Sequence, residues 1–246
     1  MTRVQVFGVG IDPIQRAELI PQVLDLVESG SQSTVGYVNV HVLNQTCTDS
    51  ELRVFLNQLT LCYCDGNGVI KGARWLGEEI PERMTGADWI WDLASHAEGR
   101  HRLYWIGGEP GVTHEAAEAL RKKHPALEIE TDHGFHPREG AEDQACIQRI
   151  NDAKPDIVLV GMGTPTQEEW VSQRRALIDA PVVWCLGATA DFVSGRVQRK
   201  GPDWLVDNHE WLSRLLADPR RLWQRYLLGN SLFLARIAKE RLRRGA

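Results

Sequence analysis

An α/β fold with a mostly parallel sheet and a C-terminal helical appendage is what this sequence predicts. Short apolar runs recur that stop at glycine and pass into helically spaced apolar residues. Four of these stops are glycine-bearing turns: Asp65-Gly66-Asn67-Gly68, Gly107-Gly108-Glu109-Pro110-Gly111, Gly161-Met162-Gly163-Thr164-Pro165 and Gly187-Ala188-Thr189. After Gly201-Pro202 the spacing becomes purely helical. Strands that end in glycine and feed helices mark an α/β sheet, whose ligands sit at the carboxyl ends of the strands. With 246 residues, 43% hydrophobic and 25% charged, the chain suffices for a full core.

Taken in order, Val4 to Val9 reads as an edge element, followed by a turn at Asp12-Pro13 and a helix from Ile14 to Ser29 with Leu19, Val23, Leu26 and Val27 on its apolar side. Val35 to Leu43, rich in β-branched residues, reads as a strand. Asp49 opens a helix as its N-cap, with Leu52, Phe55, Leu56 and Leu59 facing inward. Leu61 to Cys64 is a short strand, so Cys62 and Cys64 belong to the core. The strand, glycine and helix order recurs at Arg102 to Ile106 with a helix from Val112 to His124, and at Ile157 to Val160 with a helix around Gln167 to Ile178. Val182 to Leu186 adds one more strand. In the last stretch Trp204, Trp211, Leu215, Trp223 and Leu227 keep helical spacing across a break at Asp218-Pro219. The expected division is an α/β core over 1–200 and a basic amphipathic appendage over 201–246.

Composition narrows the function classes. Five scattered cysteines without a C-x-x-C pair argue against a disulfide framework and against structural zinc. No basic leader with a cleavage site and no run of about 20 apolar residues occurs, so a cytoplasmic protein is expected. The net charge of −5 is uneven: from Arg214 to Ala246 nine Lys and Arg face only Asp218 and Glu240. A basic helix rich in Trp, Leu and Phe suits an anionic membrane surface. Basic residues interleaved with aromatics as in nucleic-acid modules are missing, and no nucleic-acid partner is expected.

The glycine turns let backbone N–H groups approach a ligand, and a following helix N-terminus favours a diphosphate. No G-x-G-x-x-G occurs, which counts against a dinucleotide enzyme. Asp65 stands where an apolar strand meets a glycine turn, a place for a general base or for a turn aspartate bonding backbone N–H groups. Asp191 admits the same two readings. Arg83 either grips a diphosphate or pairs with Glu82 or Asp88. Glu168, at a helix start, favours the helix dipole. His133 and His136 sit among glycine and proline and read as a solvated loop. Glu128-x-Glu130-x-Asp132 reads as the exposed face of a strand. With no Asp-x-Asp triplet in the chain, a leaving diphosphate would be stabilised by arginines and helix N-termini, and neither a metal nor a cofactor is expected.

Together these stretches resemble the WecG/TagA/CpsF family of bacterial glycosyltransferases, glycosyltransferase family 26. The resemblance rests on Asn39, Asp65-Gly66-x-Gly68, Pro81-Glu82-Arg83-x-Thr85-Gly86-x-Asp88, Gly107-Gly108-x-Pro110-Gly111-Val112 and His133-Gly134-Phe135. Further along it rests on Gly163-x-Pro165-x-Gln167-Glu168-x-Trp170, Asp191-Phe192-x-x-Gly195-x-Val197, Glu210-Trp211-Leu212-x-Arg214-Leu215 and Asp218-Pro219-x-Arg221, and it spans nearly the whole chain. It implies a Rossmann-like core, a nucleotide-sugar donor, commonly uridine-linked, and an acceptor saccharide on undecaprenyl diphosphate. Asp65 would be the catalytic base. Tyr37, Asn39, Arg83, Gly107, Gly108, Phe135, Gly163, Gln167 and Asp191 would line the substrate site, with Arg214 and Arg221 meeting the lipid diphosphate. The implied location is the cytoplasmic face of the inner membrane. Two departures touch the sugar pocket: Tyr37-Val38-Asn39 replaces a Thr-x-Asn signature, and Ala188-Thr189-Ala190 precedes Asp191 where the family has glycine-serine.

The expected reaction is a metal-independent, inverting single displacement. Two alternatives stay open: a sugar-nucleotide epimerase or oxidoreductase on the same kind of sheet, and a non-catalytic nucleotide-sugar-binding protein. The sequence leaves the donor sugar and the oligomeric state open, a homo-oligomer included.

Overall fold

The computed structural model describes residues 2–197 and 223–245. The chain opens with a hairpin, β1 (Val4–Val6) and β2 (Val9–Ile11), paired antiparallel and separate from the main sheet. The expected single edge element is therefore two strands. Phe7 and Gly8 both take positive φ, +53° and +74°, as a two-residue turn matched to strand twist requires.

Helix α1 (Arg16–Glu28) leads to β3 (Ser33–Val38), and α2 (Val40–Gln45) and α3 (Ser50–Gln58) lead to β4 (Leu61–Cys64). The strand read over Val35 to Leu43 is thus too long. Asn39 ends it, because its Oδ1 accepts the Val42 N–H at 3.0 Å and caps a helix that β-branched Val40 and Val42 do not advertise. Asp49 caps α3 as expected, accepting the Leu52 N–H at 2.9 Å. Next come α4 (Asn67–Trp75), α5 (Gly86–Ala97), β5 (Arg102–Gly107), α6 (Val112–Arg121), β6 (Glu128–Asp132) and α7 (Gly140–Ala153). They are followed by β7 (Ile157–Gly161), α8 (Thr166–Arg174), β8 (Val182–Cys185) and the short α9 (Thr189–Val193).

The main sheet has six strands in the order β4-β3-β8-β7-β5-β6, all parallel. β3 leads to β4 and β7 to β8 toward one side of the sheet, while β5 leads to β6 toward the other, so the strand order reverses between β7 and β5, and α/β sheets place their ligands at the carboxyl ends near such a reversal. Between sheet and helices lies an aromatic core. Trp89 of α5 stacks on Trp184 of β8 at 3.9 Å, and Tyr63 of β4 meets both edge-on. Each such ring contributes about 2–3 kcal/mol of burial. Cys62 and Cys64 are buried in β4, and burial pushes the Cys62 thiol up to about 12 and Cys64 higher still, so both are neutral packing groups.

The last helix, α10 (Gly229–Arg244), lies on the core near α2 and α4. Phe233 and Ile237 are buried there, over Gly72 of α4, where a Cβ would stand 2.8 Å from the Phe233 ring. Phe233 also meets Phe7 edge-on at 5.3 Å. Arg236 donates to the Asn44 carbonyl at 2.7 Å, Glu240 accepts the Phe7 N–H at 3.2 Å, and Arg244 reaches the Gln5 carbonyl at 2.6 Å. Part of the basic charge read as a surface for an anion therefore fastens the helix to the core. Leu232, Leu234, Leu242, Lys239, Arg241 and Arg243 remain exposed, as do Leu227 and Leu228 just before it. Among the described residues no helix is long and apolar enough to cross a membrane.

Candidate active site

The carboxyl ends of β3, β4, β8, β7 and β5 bring most of the expected residues to one edge of the sheet. Asp65 follows β4 directly, and its N–H donates to the Val38 carbonyl at 2.8 Å, extending the β3–β4 ladder by one step. Its backbone is thereby as fixed as the strand. The Met84 N–H donates to the Cys64 carbonyl at 2.8 Å and draws the segment before α5 alongside. That contact positions buried Thr85, whose hydroxyl donates to Asp65 Oδ1 at 2.9 Å. A hydroxyl donor on one oxygen sets the orientation of the carboxylate. Arg83, on the same segment, pairs with Asp88 at 3.8 Å, while Glu82 turns away to accept the Arg16 N–H at 2.7 Å.

At the carboxyl ends of β3 and β8, Tyr37, one residue before the end of β3, is only 9% exposed, with its hydroxyl under Gly187. A Cβ on Gly187 would lie 2.5 Å from that oxygen, and Gly187 has φ +65°, so glycine is required twice over. Asn39 follows Tyr37 by two residues with its side chain spent partly on the α2 cap. Across the cleft, Gln167 of α8 is fully buried, and its Oε1 accepts the Gly187 N–H at 3.0 Å. Asp191 lies in the first turn of α9, just beyond. Thr189 of the same helix packs so closely on Gly86 that any Cβ there would collide with its Oγ1.

The β5 and β7 turns interlock. Gly107 has φ +151° and leaves no room for a Cβ against the Gly161 carbonyl, while the Gly108 N–H donates to that oxygen at 3.0 Å. Gly134 then donates to the Gly108 carbonyl at 3.0 Å, laying the His133-Gly134-Phe135 strap over the turn. Phe135 is 68% exposed at its tip. Gly163 has φ +79° in the β7 turn, ahead of a cis Thr164-Pro165 bond. Arg214 and Arg221 lie outside the described residues.

Two readings need correction. His136 does not sit in a solvated loop: its side chain is 7% exposed and stands 3.8 Å from buried Asp143. Asp143 also accepts Trp170 Nε1 at 2.8 Å and Arg174 Nε at 2.5 Å, so this carboxylate tethers the strap to α8. Glu168 does not merely face a helix dipole, because it is 2% exposed beneath the cleft. Thr85 had a signal in the Arg83-x-Thr85-Gly86 string, but its partner lies 20 residues away on another strand end. Among the described residues no three His, Cys, Asp or Glu side chains converge as a metal site. The face read over Glu128, Glu130 and Asp132 is indeed a partly exposed strand, with Asp132 engaged by Arg149.

The chain is 26% identical over 240 residues to an N-acetylglucosaminyldiphosphoundecaprenol N-acetyl-beta-D-mannosaminyltransferase of Staphylococcus aureus strain MRSA252, covering 96% of this chain and 92% of the relative. The protein of the same description in Staphylococcus aureus strain NCTC 8325 matches to the same extent. The sequence profile described as the glycosyl transferase WecG/TagA/CpsF family matches residues 4–246. A parallel sheet with its glycine turns at one edge and a profile match over almost every residue lead to one conclusion: this chain is a glycosyltransferase of the WecG/TagA/CpsF family.

Proposed function

We propose that the protein is an inverting, metal-independent transferase that moves a sugar from a nucleotide diphosphate, uridine-linked, to a saccharide carried on polyprenyl diphosphate. The observation that carries this reading is the setting of Asp65, fixed by the β3–β4 ladder and oriented by the Thr85 hydroxyl at the edge of the cleft. Asp65 takes the proton of an acceptor hydroxyl, the hydroxyl oxygen bonds the anomeric carbon, and the bond to the diphosphate breaks on the opposite side. One displacement with one base inverts the configuration. The departing diphosphate is received by Arg83 beside the glycine turns at Gly107, Gly108 and Gly163, with Asn39 and Asp191 toward the sugar and buried Gln167 fixing the Gly187 turn behind them. The sequence contains no Asp-x-Asp triplet, which supports stabilisation by these groups without a metal.

The acceptor class is drawn from the relatives, whose names specify N-acetylglucosaminyldiphosphoundecaprenol. Tyr37 fills the floor of the cleft under Gly187, so the donor sugar is set partly by that ring. Residues 201–246 act as the appendage that brings the core to the cytoplasmic face of the membrane, with Arg214 and Arg221 toward the lipid diphosphate. Exposed leucines and cations on α10 support this. The test is a panel of nucleotide sugars against lipid-diphosphate saccharides read by product mass, with Asp65→Asn beside the unmodified chain. A product that forms equally with the variant would remove Asp65 from the reaction.

A further inference from the structure

Beneath the cleft lies a carboxyl group that the reaction above does not use. Glu168 Oε1 accepts the Thr164 hydroxyl at 2.9 Å and Gln167 Nε2 at 2.8 Å, while its buried Oε2 has no hydrogen-bond partner. No Lys, Arg or His forms an ion pair with it among the described residues. Glu169 on the same helix and the Cys185 thiol at the end of β8 are the titratable groups facing it, and neither supplies positive charge. An ion buried without a partner is strongly disfavoured. Burial accordingly raises the affinity of this carboxyl for its proton.

The hydrogen-bond directions leave little freedom. A backbone N–H can only donate, so the Gly187 N–H requires the carbonyl end of the Gln167 amide. Its NH2 end must then meet an acceptor, which is Glu168 Oε1. An amide that flipped would set two donors against each other at Gly187. From Gly187 the contacts continue through Thr189 to Gly86, and from neighbouring Thr85 to Asp65.

We propose that Glu168 is a positioning residue for glycosyl transfer: its Oε1 holds the Gln167 amide in the single orientation that fixes Gly187 and the loop running to Asp191. This rests on the assignment of the strand-end cleft as the transfer site. Glu168→Gln keeps an acceptor oxygen at Oε1 and needs no proton, whereas Glu168→Met keeps the length and removes the acceptor. The full chain and both variants are compared by thermal melting, by titration with uridine diphosphate, and by initial rates with donor and lipid-linked acceptor varied in turn. Glu168→Gln is expected to stay within about 3-fold of the unmodified protein throughout. Glu168→Met is expected to bind uridine diphosphate about 10-fold more weakly and to raise the donor KM by a similar factor, with a smaller change in kcat.

Should the methionine variant not fold, Glu168→Asp, which withdraws the acid by one methylene, is expected to give the same rise in KM. A lowered melting temperature with unchanged binding and kinetics would make Glu168 a structural residue only and overturn the proposal. Equal losses in the glutamine and methionine variants would overturn it as well, since the carboxyl itself would then be needed. If the unmodified chain binds uridine diphosphate but transfers nothing, the transfer reading fails, while the binding arm still decides the role of Glu168.

Discussion

Two carboxyl groups on opposite sides of the cleft have received opposite surroundings. Asp65, on the β4 side, is partly exposed, next to a hydroxyl donor and on the same edge as Arg83. Glu168, on the β7 side, is sealed under the sheet edge with two neutral donors on one oxygen and none on the other. The first setting suits a proton acceptor and the second a fixed hydrogen-bond acceptor. Residue type alone does not separate these roles; solvent access and neighbouring donors do.

The same chemical change on both sides is the sharpest way to break this contrast. Asp65→Asn is expected to lower kcat by about 10³-fold, in the range that removal of a general base produces, while Glu168→Gln leaves most activity. Comparable losses on both sides would dissolve the distinction. Next in size is Gly86→Ala, which forces a methyl group against Thr189, where the two sides of the cleft touch. The Thr189 hydroxyl is itself tied to the Leu186 carbonyl at 2.9 Å, so it does not simply rotate away. An overpacking cost of about 1–3 kcal/mol is expected, read as a drop of several degrees in the melting temperature. An unchanged melting point would mean that the two sides are not packed as one unit.

A smaller effect is expected from Thr85→Val, which keeps the shape beside Asp65 and removes its hydroxyl donor. The kcat should fall about 10-fold with the melting temperature nearly unchanged, the loss of one charge-assisted hydrogen bond. Smallest is a difference in pH dependence. Glu168 holds its proton more tightly when folded than the ordinary carboxyl value of 4.5. A raised value in the folded state means that its contribution is full at acid pH and is lost as pH rises from about 4.5 through the folded value. The melting temperature of the unmodified chain should therefore decline relative to Glu168→Gln as pH is raised over that window. Parallel profiles would show that Glu168 ionises as easily folded as unfolded.

Much of the site was legible because its parts are local in sequence. The Asp65-Gly66, Gly107-Gly108 and Gly187 turns each announce a strand end, and the strands before them were found within a residue or two. The Asn39 cap is hidden in the sequence because Val38, Val40 and Val42 all favour strand, and only the side-chain bond to Val42 N–H reverses that preference. The hairpin at the start reads as one element in the sequence because Phe7 at positive φ carries no turn signal of its own. The burial of His136 and Glu168 is hidden for another reason: it depends on what packs over them, and polar residue type points the wrong way.

The sequence by itself determined the α/β class and the positions of the glycine turns, since each depends on neighbours a few residues apart, and it placed Asp65 at a strand end as either a base or a turn residue. Only the tertiary structure decided which carboxyl meets a hydroxyl and which is sealed away. Those environments are built by Thr85 and Asp65, or Gly187 and Gln167, residues 20 apart in the chain that meet only when parallel strands align their carboxyl ends. Desolvation and hydrogen-bond direction act at those contacts, and both are properties of the packed sheet edge rather than of any single stretch of chain.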